Sequence, residues 1–368
     1  MAWLVDGSST GRVPPWGCVQ VPSTKIRLVS MRVRSSMVML RSCGRWKNCA
    51  RSPCGPDCQR PSWPPAGQEE TIGKMTVGMV GVGLMGHGIA RNLAAKGWPL
   101  LFLDHPGNQP VTDLLAIGAR RVDRLAALAE CQAIILCLSG TPQVEEVLLA
   151  EAGLLAAIRP GTVIVDCSTA IPASTLRLAG LTRDAGGAFM DAAMTRTPKE
   201  AEEGRLNLLV GADGDLFNRM RQLLGAFAEN IFHAGDVGAG HTLKLLHNFV
   251  SIGCATLISE AAACARQAGI RDATFVDVLA KGGGHGAALD RIAPFLLAGD
   301  TSGMRFSVAN AAKDLSYYLQ LSQDVGAAHH AAGGVGAALD GLSKVGFADS
   351  YLSEAAALFA VQDKPRHD

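Results

Sequence analysis

Residues 76–95, TVGMVGVGLMGHGIARNLAA, decide the fold of this chain. They join a short apolar run to a helical pattern through the spacing Gly81-x-Gly83-x-x-Gly86. The first glycine permits a tight turn, the second lets the backbone approach a pyrophosphate, and the third lets the helix pack closely against the strand. Because this glycine motif stands between a strand pattern and a helix pattern, it predicts a dinucleotide-binding unit.

The acidic residue that completes such a unit stands at the end of the next apolar run. Asp104 follows Gly86 by 18 residues, where a carboxylate can accept hydrogen bonds from the adenosine ribose hydroxyls. The same carboxylate would repel a 2′-phosphate, and no arginine occupies positions 105–107. We therefore expect NAD as the cofactor in preference to NADP.

Further apolar runs alternate with helical patterns and extend this unit into a sheet. The expected strands are 99–104, 133–138, 162–166, 189–191 and 206–210, with helical patterns at 142–157 and 171–185. This alternation predicts an α/β fold over residues 75–237, built on a Rossmann-type, doubly wound parallel sheet. Ligands of such sheets bind beyond the carboxyl ends of the strands.

Strand patterns cease near Gly238, and residues 238–368 predict an all-α domain. Helices are expected at 239–269, 285–298, 307–326 and 329–346. The first is apolar around most of its circumference, so we expect it to be buried. Its polar residues form one stripe at the spacing i, i+3, i+4, i+7, namely Lys244, His247, Asn248 and Ser251. A polar stripe on a buried helix needs partners, which predicts a cleft for a polar ligand.

The first 74 residues differ in kind from the rest. They carry a net charge of +7 against −6 for the remainder, and they hold five of the ten cysteines. Three interpretations stay open: a targeting peptide, a metal site formed by Cys43, Cys49, Cys54 and Cys58, and an extension outside the working protein. The cysteine spacings lack the paired C-x2-C of common zinc sites. We favour the extension and expect the functional chain to begin at Met75.

Composition argues against several other classes of protein. A formal net charge of +1 gives no reason to expect nucleic acid as a partner, and no unbroken apolar run reaches the length of about 18 residues that a membrane span needs. No cluster of histidine and acidic residues has the spacing of a metal site. The cysteines after residue 74 stand in apolar segments, which predicts buried free thiols in a reducing, cytoplasmic compartment.

Four ordered motifs resemble those of the β-hydroxyacid dehydrogenase family, which includes 3-hydroxyisobutyrate dehydrogenase and tartronate semialdehyde reductase. They are Gly81–Asn92, Asp166–Pro172 (DCSTAIP), Gly238–Asn248 (GAGHTLKLLHN) and Lys313–Leu315 (KDL). The resemblance covers about residues 75–360 and implies that Lys244 is the catalytic group, with Asn248 orienting it or the substrate. It implies cofactor contacts from Leu84, Met85, Asp104, Leu138, Thr169 and Lys313, and Ser168 near the substrate.

The chemistry that this family carries out agrees with a lysine in the cleft. Reduction of a carbonyl needs a proton donor for the developing alkoxide, and the reverse reaction needs a base for the hydroxyl. An ammonium group can serve both directions when partial burial and a nearby second cation lower its pKa. We expect Lys244 to be this group and Lys313 to be the second cation.

The substrate loop departs from the commonest form in this family, Ser-Gly-Gly, whose backbone N–H groups hold the substrate carboxylate. Here the loop is Thr195-Arg196-Thr197, which resembles the Gly-Arg-Thr loop of the 3-sulfolactaldehyde reductase branch. That resemblance implies that Arg196 grips a sulfonate with help from His247–Ser251. A guanidinium binds carboxylate or phosphate equally well, so 3-hydroxyisobutyrate and tartronate semialdehyde remain alternatives. An arginine on a solvated, charged surface also remains open.

Other functions are carried by the same architecture. Imine reductases share it, but they usually lack the lysine found here at position 244. A non-catalytic NAD-binding module would need no acid or base in the cleft, and decarboxylation of a sugar-acid phosphate would favour a basic NADP site, which 105–107 do not supply. The family usually assembles through its helical domain, so we expect a homodimer or homotetramer.

Overall fold

The computed structural model describes residues 74–362, so the segment before Lys74, with its four closely spaced cysteines, lies outside the described residues. Eight strands form one sheet in the order β3-β2-β1-β4-β5-β6-β7-β8. Their bounds are β1 Val77–Val80, β2 Leu100–Leu103, β3 Arg120–Val122, β4 Ala133–Leu136, β5 Val163–Asp166, β6 Ala188–Thr195, β7 Leu206–Gly211 and β8 Ala228–Gly235.

Twelve α-helices occur within the described residues. Six belong to the sheet-containing half: α1 Gly86–Ala95, α2 Thr112–Ala116, α3 Thr141–Leu149, α4 Pro172–Asp184, α5 Pro198–Glu202 and α6 Gly214–Leu224. Six form the helical half: α7 Ala239–Gln267, α8 Asp272–Lys281, α9 Ala287–Ala298, α10 Val308–Asp324, α11 His330–Leu342 and α12 Ala355–Gln362. The expected Rossmann-type sheet followed by an all-α part is confirmed.

Helices cover both faces of the sheet. Successive side chains of a strand point to opposite faces, so neighbouring strand residues belong to different apolar clusters. Met79 belongs to one buried cluster together with Ile89 of α1, and its neighbour Val80 belongs to another together with Leu148 of α3. A third apolar cluster forms the core of the helical half. Two-sided burial explains why β1, β4 and β5 are continuous apolar runs rather than alternating ones.

The expected parallel sheet contains one antiparallel pair of strands. β6 and β7 are antiparallel, whereas every other neighbouring pair is parallel. The chain between Thr195 and Leu206 is too short for a parallel crossover, which takes a dozen residues or more. It turns back through α5 instead, and this reversal brings Thr195–Thr197 to the edge of the active-site cleft.

Several elements also differ from their expected bounds. The helical pattern at 142–157 ends at Leu149, and a separate 3-10 turn follows at Leu154–Ala156. β8 was not expected, because most of its residues are exposed or half-buried and show no apolar pattern. α8 was missed for the same reason, since none of its residues is fully buried.

α7 is the central helix of the helical half. We expected it to be buried, but one of its sides is exposed. Leu245 and Ile252 face the core, whereas one face of the helix exposes Leu243, Leu246, Val250 and Leu257. By length and hydropathy α7 could cross a membrane, yet half of that stretch is buried against the rest of the chain, as in the core helix of a globular domain. Contiguous exposed apolar residues of this kind often mark an interaction surface.

The cysteines among the described residues are all free thiols. Cys131 and Cys167 are buried as expected, and burial raises the pKa of the Cys131 thiol to about 11. Cys254 and Cys264 are exposed, so the expectation of burial is wrong for these two. They lie on α7, whose outer face is not covered by other residues within 74–362.

A buried carboxylate attaches α7 to the sheet. Asp191 of β6 accepts hydrogen bonds from the backbone N–H groups of Gly238 and His241, both at 2.7 Å. Gly240 lies between them, and a Cβ there would stand 2.3 Å from the Leu209 carbonyl oxygen. The first turn of α7 therefore rests directly on strand backbone, and only glycine fits at this contact.

Replacing Gly240 with alanine should separate α7 from the sheet. The added methyl group cannot be accommodated against the backbone of β7, so we expect a loss of about 2 kcal/mol in the free energy of unfolding. The matched control is Gly253→Ala on the same helix, where a Cβ would meet only a Val335 methyl at 3.9 Å. That variant should be neutral or slightly stabilised, since alanine favours helix. Urea unfolding measures both, and equal stability of the two variants would contradict the close contact.

Candidate active site

A cleft of about 410 Å³ lies between the carboxyl ends of the strands and the helical half, a volume typical of sites for small ligands. All of the site residues predicted from the sequence line this cleft except Gly81 and Asp104: Gly83, Leu84, Met85, Gly86, Leu138, Ser168, Thr169, Arg196, Lys244, His247, Asn248, Ser251 and Lys313. The polar stripe of α7 thus faces the end of the glycine loop.

The three glycines of the loop are required for different reasons. A Cβ on Gly81, whose φ is +94°, would stand 2.2 Å from the Cys137 carbonyl oxygen, and one on Gly86 would meet the Gly81 carbonyl oxygen at 1.9 Å. At Gly83 the nearest protein atom would be 3.8 Å away, an ordinary contact. Protein packing therefore explains the outer glycines, whereas the space in front of Gly83 is open to a ligand.

The start of α1 is suited to a phosphate group. No side chain caps its first turn and no acidic residue occurs there, so its N-terminal N–H groups and the positive end of the helix dipole face the open space in front of Gly83. The residues of this loop therefore fit the pyrophosphate of a dinucleotide. Asp104 lies just past β2, outside the cleft, where the motif requires the ribose partner.

The surroundings of Asp104 include an arginine that the sequence did not reveal. Arg121 of β3 places its Nη1 atom 3.7 Å from an Asp104 oxygen, and both side chains are about half exposed. Positions 105–107 contain no arginine or lysine, but β3 pairs with β2 and brings Arg121 alongside Asp104. The ribose end of the site thus carries one negative and one positive group.

Lys244 is the half-buried cation at the centre of the cleft. Desolvation, which is the largest cause, and the neighbouring cations Lys313 and Arg291 together lower the pKa of its ammonium group to about 8, against the opposing effect of the Asp314 carboxylate. Both protonation states of this side chain are therefore accessible near neutral and mildly alkaline pH.

Asp314 holds the polar residues around Lys244 in place. Its buried carboxylate accepts a 2.6 Å hydrogen bond from Asn248 Nδ2 and lies 3.2 Å from Lys313 Nζ. Lys313 also donates to the Ser139 carbonyl oxygen at the end of β4. Since α7 and α10 each supply members of this group, their packing fixes the distance from the lysine to the sheet.

His247 lies beside Asn248 at the mouth of the cleft. Its Nδ1 atom is 3.0 Å from Asn248 Oδ1. Desolvation lowers the pKa of the imidazole, and the positive charges of Lys244 and Arg291 lower it further. His247 is therefore neutral at physiological pH, and it can donate or accept a hydrogen bond without adding charge.

Arg196 lines the cleft, but its charged group is bound to other parts of the protein. The guanidinium Nη1 donates to the Arg205 carbonyl oxygen and pairs with the carboxylate of Glu229 on β8. Its φ of +84° makes it the single non-glycine residue with left-handed backbone in the described part of the chain. The loop thus keeps the backbone conformation that glycine favours, while the arginine side chain is held by protein partners.

Two further arginines line the cleft that no sequence motif indicated. Arg291 comes from α9, and Arg305 comes from the loop between α9 and α10. Neither follows a periodic pattern or a recognised spacing, so only the packing of the helical half brings them to the site. Asp314 belongs to the motif Lys313–Leu315, but the motif does not indicate that this carboxylate holds Asn248.

Family models match both halves of the chain. The NAD-binding domain of 6-phosphogluconate dehydrogenase matches residues 76–235, and the NAD-binding domain of NADP-dependent 3-hydroxyisobutyrate dehydrogenase matches residues 238–359. Together these two matches span nearly all of the described residues.

Curated relatives carry related activities in their names. The 2-(hydroxymethyl)glutarate dehydrogenase of Eubacterium barkeri is 30% identical over 58% of this chain and 71% of its own length. The NAD-dependent L-serine dehydrogenase of Pseudomonas aeruginosa is 30% identical over 56% and 70%. The 2-hydroxy-3-oxopropionate reductase of Escherichia coli is 36% identical over 44% and 56%.

Solved structures have the same fold. A 3-hydroxyisobutyrate dehydrogenase from Salmonella typhimurium superposes with a TM-score of 0.69 at 24% identity, covering 77% of this chain and all of that one. The 3-hydroxyisobutyrate dehydrogenase of Mycobacterium tuberculosis gives 0.68 at 24% identity, covering 77% and 98%. At these identities the likeness supports the architecture.

Proposed function

Because the chain belongs to the 3-hydroxyisobutyrate dehydrogenase family of NAD(P)-dependent oxidoreductases, we propose that it interconverts a short anionic hydroxyacid and its aldehyde, with Lys244 as the acid and base. The observation that carries this proposal is Lys244 itself, a cleft lysine whose pKa is lowered to about 8, facing an open glycine loop. A module that only bound the dinucleotide would have no use for such a group.

A nicotinamide dinucleotide held by Gly83, Gly86 and the start of α1 would supply the hydride acceptor or donor for the substrate carbon. In the oxidation direction, neutral Lys244 takes the hydroxyl proton onto Nζ as the C–H bond breaks. In the reduction direction, its ammonium form donates that proton to the carbonyl oxygen. Asn248, held by Asp314 at 2.6 Å, is placed to orient the substrate oxygen or the lysine.

For the cofactor, we propose NAD with weaker use of NADP. The Asp104 carboxylate suits the ribose hydroxyls and disfavours a 2′-phosphate. Arg121, 3.7 Å away, offsets part of that repulsion, because a guanidinium is a good phosphate partner. We therefore expect a preference for NAD rather than exclusion of NADP.

For the substrate, the surroundings of Arg196 favour a carboxylate held by the loop over a sulfonate gripped by its side chain. The guanidinium already pairs with Glu229 and the Arg205 carbonyl, so binding a substrate anion would break those contacts. The names of the relatives, which refer to hydroxymethylglutarate, serine and hydroxyoxopropionate, support carboxylates as well. We therefore favour a carboxylate substrate, such as 2-hydroxy-3-oxopropionate or 3-hydroxyisobutyrate, over 3-sulfolactaldehyde.

A substrate panel tests the proposal. The oxidation of NADH and of NADPH would be followed with tartronate, methylmalonate and succinic semialdehydes and with 3-sulfolactaldehyde, in the absence of any amine. We expect NADH-dependent turnover of a carboxylate semialdehyde, and a KM that changes less than about threefold in Arg196→Ala, since an exposed ion pair contributes little. Arg205→Ala, which removes the second partner of Glu229, is the control.

Three results would change the conclusion. A preference for 3-sulfolactaldehyde that is lost in Arg196→Ala would indicate that Arg196 binds the sulfonate of the substrate. Turnover only in the presence of an amine would indicate an imine reductase. If none of the aldehydes reacts with either cofactor, the proposed reaction class is wrong.

Lys244→Ala should abolish most of the activity while leaving the cofactor bound. Loss of the acid and base should lower kcat by about a hundredfold or more, with the NADH dissociation constant, measured by fluorescence titration, within about twofold of wild type. Lys281→Ala on α8, whose side chain is 76% exposed and pairs with Asp277, serves as the control. A Lys244→Ala enzyme with near-full turnover would remove the lysine from the mechanism.

The pH dependence of turnover follows from the Lys244 pKa of about 8. Oxidation needs neutral lysine, so kcat/KM for the alcohol should rise as the pH passes about 8, and kcat/KM for the aldehyde should fall over the same range. Asp314→Asn removes the charge that raises the pKa and should move both inflections to lower pH. Arg291→Gln removes a charge that lowers the pKa and should move them to higher pH.

We further propose that the chain forms a homodimer or homotetramer through the exposed face of α7. The side chains of Leu243, Leu246, Val250 and Leu257 are exposed there by 38–62%, and a second copy would remove this apolar area from water. Sedimentation velocity should give a dimer or tetramer that Val250→Asp weakens, with Val325→Asp, exposed by 67% at the end of α10, as the control. A monomeric wild type would contradict this assembly.

A further inference from the structure

The charges that line the active-site cleft are strongly unbalanced. Lys244, Lys313 and three arginines face it, whereas among the described residues Asp314 alone contributes a carboxylate. Asp314 lies beside Lys313, and Arg196 is paired with Glu229. The other two cations of the cleft are Arg291 and Arg305. Neither side chain forms an ion pair or a hydrogen bond within residues 74–362, and the exposed carboxylate of Asp300 acts on Arg305 only at longer range.

The two arginines, here called the arginine pair, line the same cleft and belong to two segments whose backbones are in contact. The loop after α9 folds back over that helix so closely that a Cβ on Gly303 would stand 2.4 Å from the Arg291 carbonyl oxygen. Arg305 follows two residues later. Met304 between them is buried, and the Phe306 carbonyl accepts a 2.8 Å hydrogen bond from Leu352. The loop is therefore fixed where it holds Arg305.

The arginine pair is also close to the reacting end of the cleft. The charge of Arg291 acts on Lys244 and on His247, lowering the pKa of each. Unpaired cations in a partly desolvated cleft repel one another, and an anionic ligand would relieve that repulsion. A guanidinium, with its planar fork of donors, matches a carboxylate especially well.

The arginine pair does not belong to the anion site of the substrate loop. Thr195–Thr197 enter the cleft from the sheet side, at the end of β6, whereas the pair enters from the helical side, on α9 and the loop after it. A substrate with one anionic group could bind to one of these two sides of the cleft, and the other side would be left without an anion. A substrate with two such groups would satisfy both.

We propose that the arginine pair binds a second carboxylate of the substrate, so that the preferred substrate is a hydroxy-dicarboxylate rather than a hydroxy-monocarboxylate. The inference rests on the proposed function and specifies its substrate class. The alcohol carbon is oxidised to an aldehyde, its hydride reduces the nicotinamide, and the hydroxyl proton goes to Lys244. The arginine pair exchanges neither the hydride nor the proton; it contributes to substrate binding, and Arg291 also lowers the pKa of Lys244.

Two alcohols that differ at one group provide the test. 2-(Hydroxymethyl)glutarate and 2-(hydroxymethyl)pentanoate share the hydroxymethyl group and the first carboxylate, but a methyl group replaces the second carboxylate in the latter. The readout is the ratio of kcat/KM for the two compounds with NAD, in which effects on the shared chemical step cancel. We expect wild type to prefer the dicarboxylate by about tenfold or more, as for a charge-assisted contact.

Variants of the arginine pair should remove this preference. Arg305→Gln and Arg291→Gln should each lower the ratio by about tenfold, Arg305→Lys should keep part of it, and Arg271→Gln, exposed and outside the cleft, should keep all of it. Calorimetric titration with glutarate, which has no hydroxyl to react, should show binding that both Gln variants weaken. This second measurement needs no turnover, and circular dichroism checks that each variant is folded.

The possible failures are distinguishable. If wild type oxidises both alcohols with equal kcat/KM, or if folded Gln variants keep the wild-type ratio, the second carboxylate site is wrong while the proposed function stands. If wild type oxidises neither alcohol and reduces none of the aldehydes in the panel, the proposed function fails and the inference falls with it.

Discussion

Asp191 joins the sheet to the helical half, and the position of Lys244 depends on that join. The carboxylate accepts the backbone N–H groups of Gly238 and His241, and an acceptor at a helix N-terminus is stabilised by the helix dipole as well. Lys244 stands one turn farther along the same helix. A shift of the first turn of α7 would therefore move the lysine relative to the glycine loop.

The electrostatic environment of Lys244 is set by opposing charges on two helices, α9 and α10. Asp314 of α10 holds Asn248 of α7 and raises the lysine pKa, whereas Lys313 and Arg291 of α9 lower it. Because desolvation is the largest effect, closing the cleft around the lysine matters as much as any single neighbour. The helical half thus supplies both the acid and base and the burial that makes it useful.

The arginines of the cleft show how identical side chains acquire different roles. Arg196 stands in the substrate loop, yet its charge is neutralised by Glu229 on β8. Arg291 and Arg305 stand in no motif, yet they retain the charge that a substrate anion would meet. A guanidinium binds whichever anion packing places next to it, so residue type alone does not assign its function.

The sequence by itself determined the glycine turn, the ribose acid at Asp104 and the polar stripe of α7, because each depends on spacing within one element or one βαβ unit. Tertiary structure alone decided the reversal of β7, the approach of Arg121 to Asp104, the pairing of Arg196 with Glu229 and the placement of Arg291 and Arg305 in one cleft. These contacts join residues on separate elements. Local periodicity carries no information about them, since they follow from strand order and helix packing.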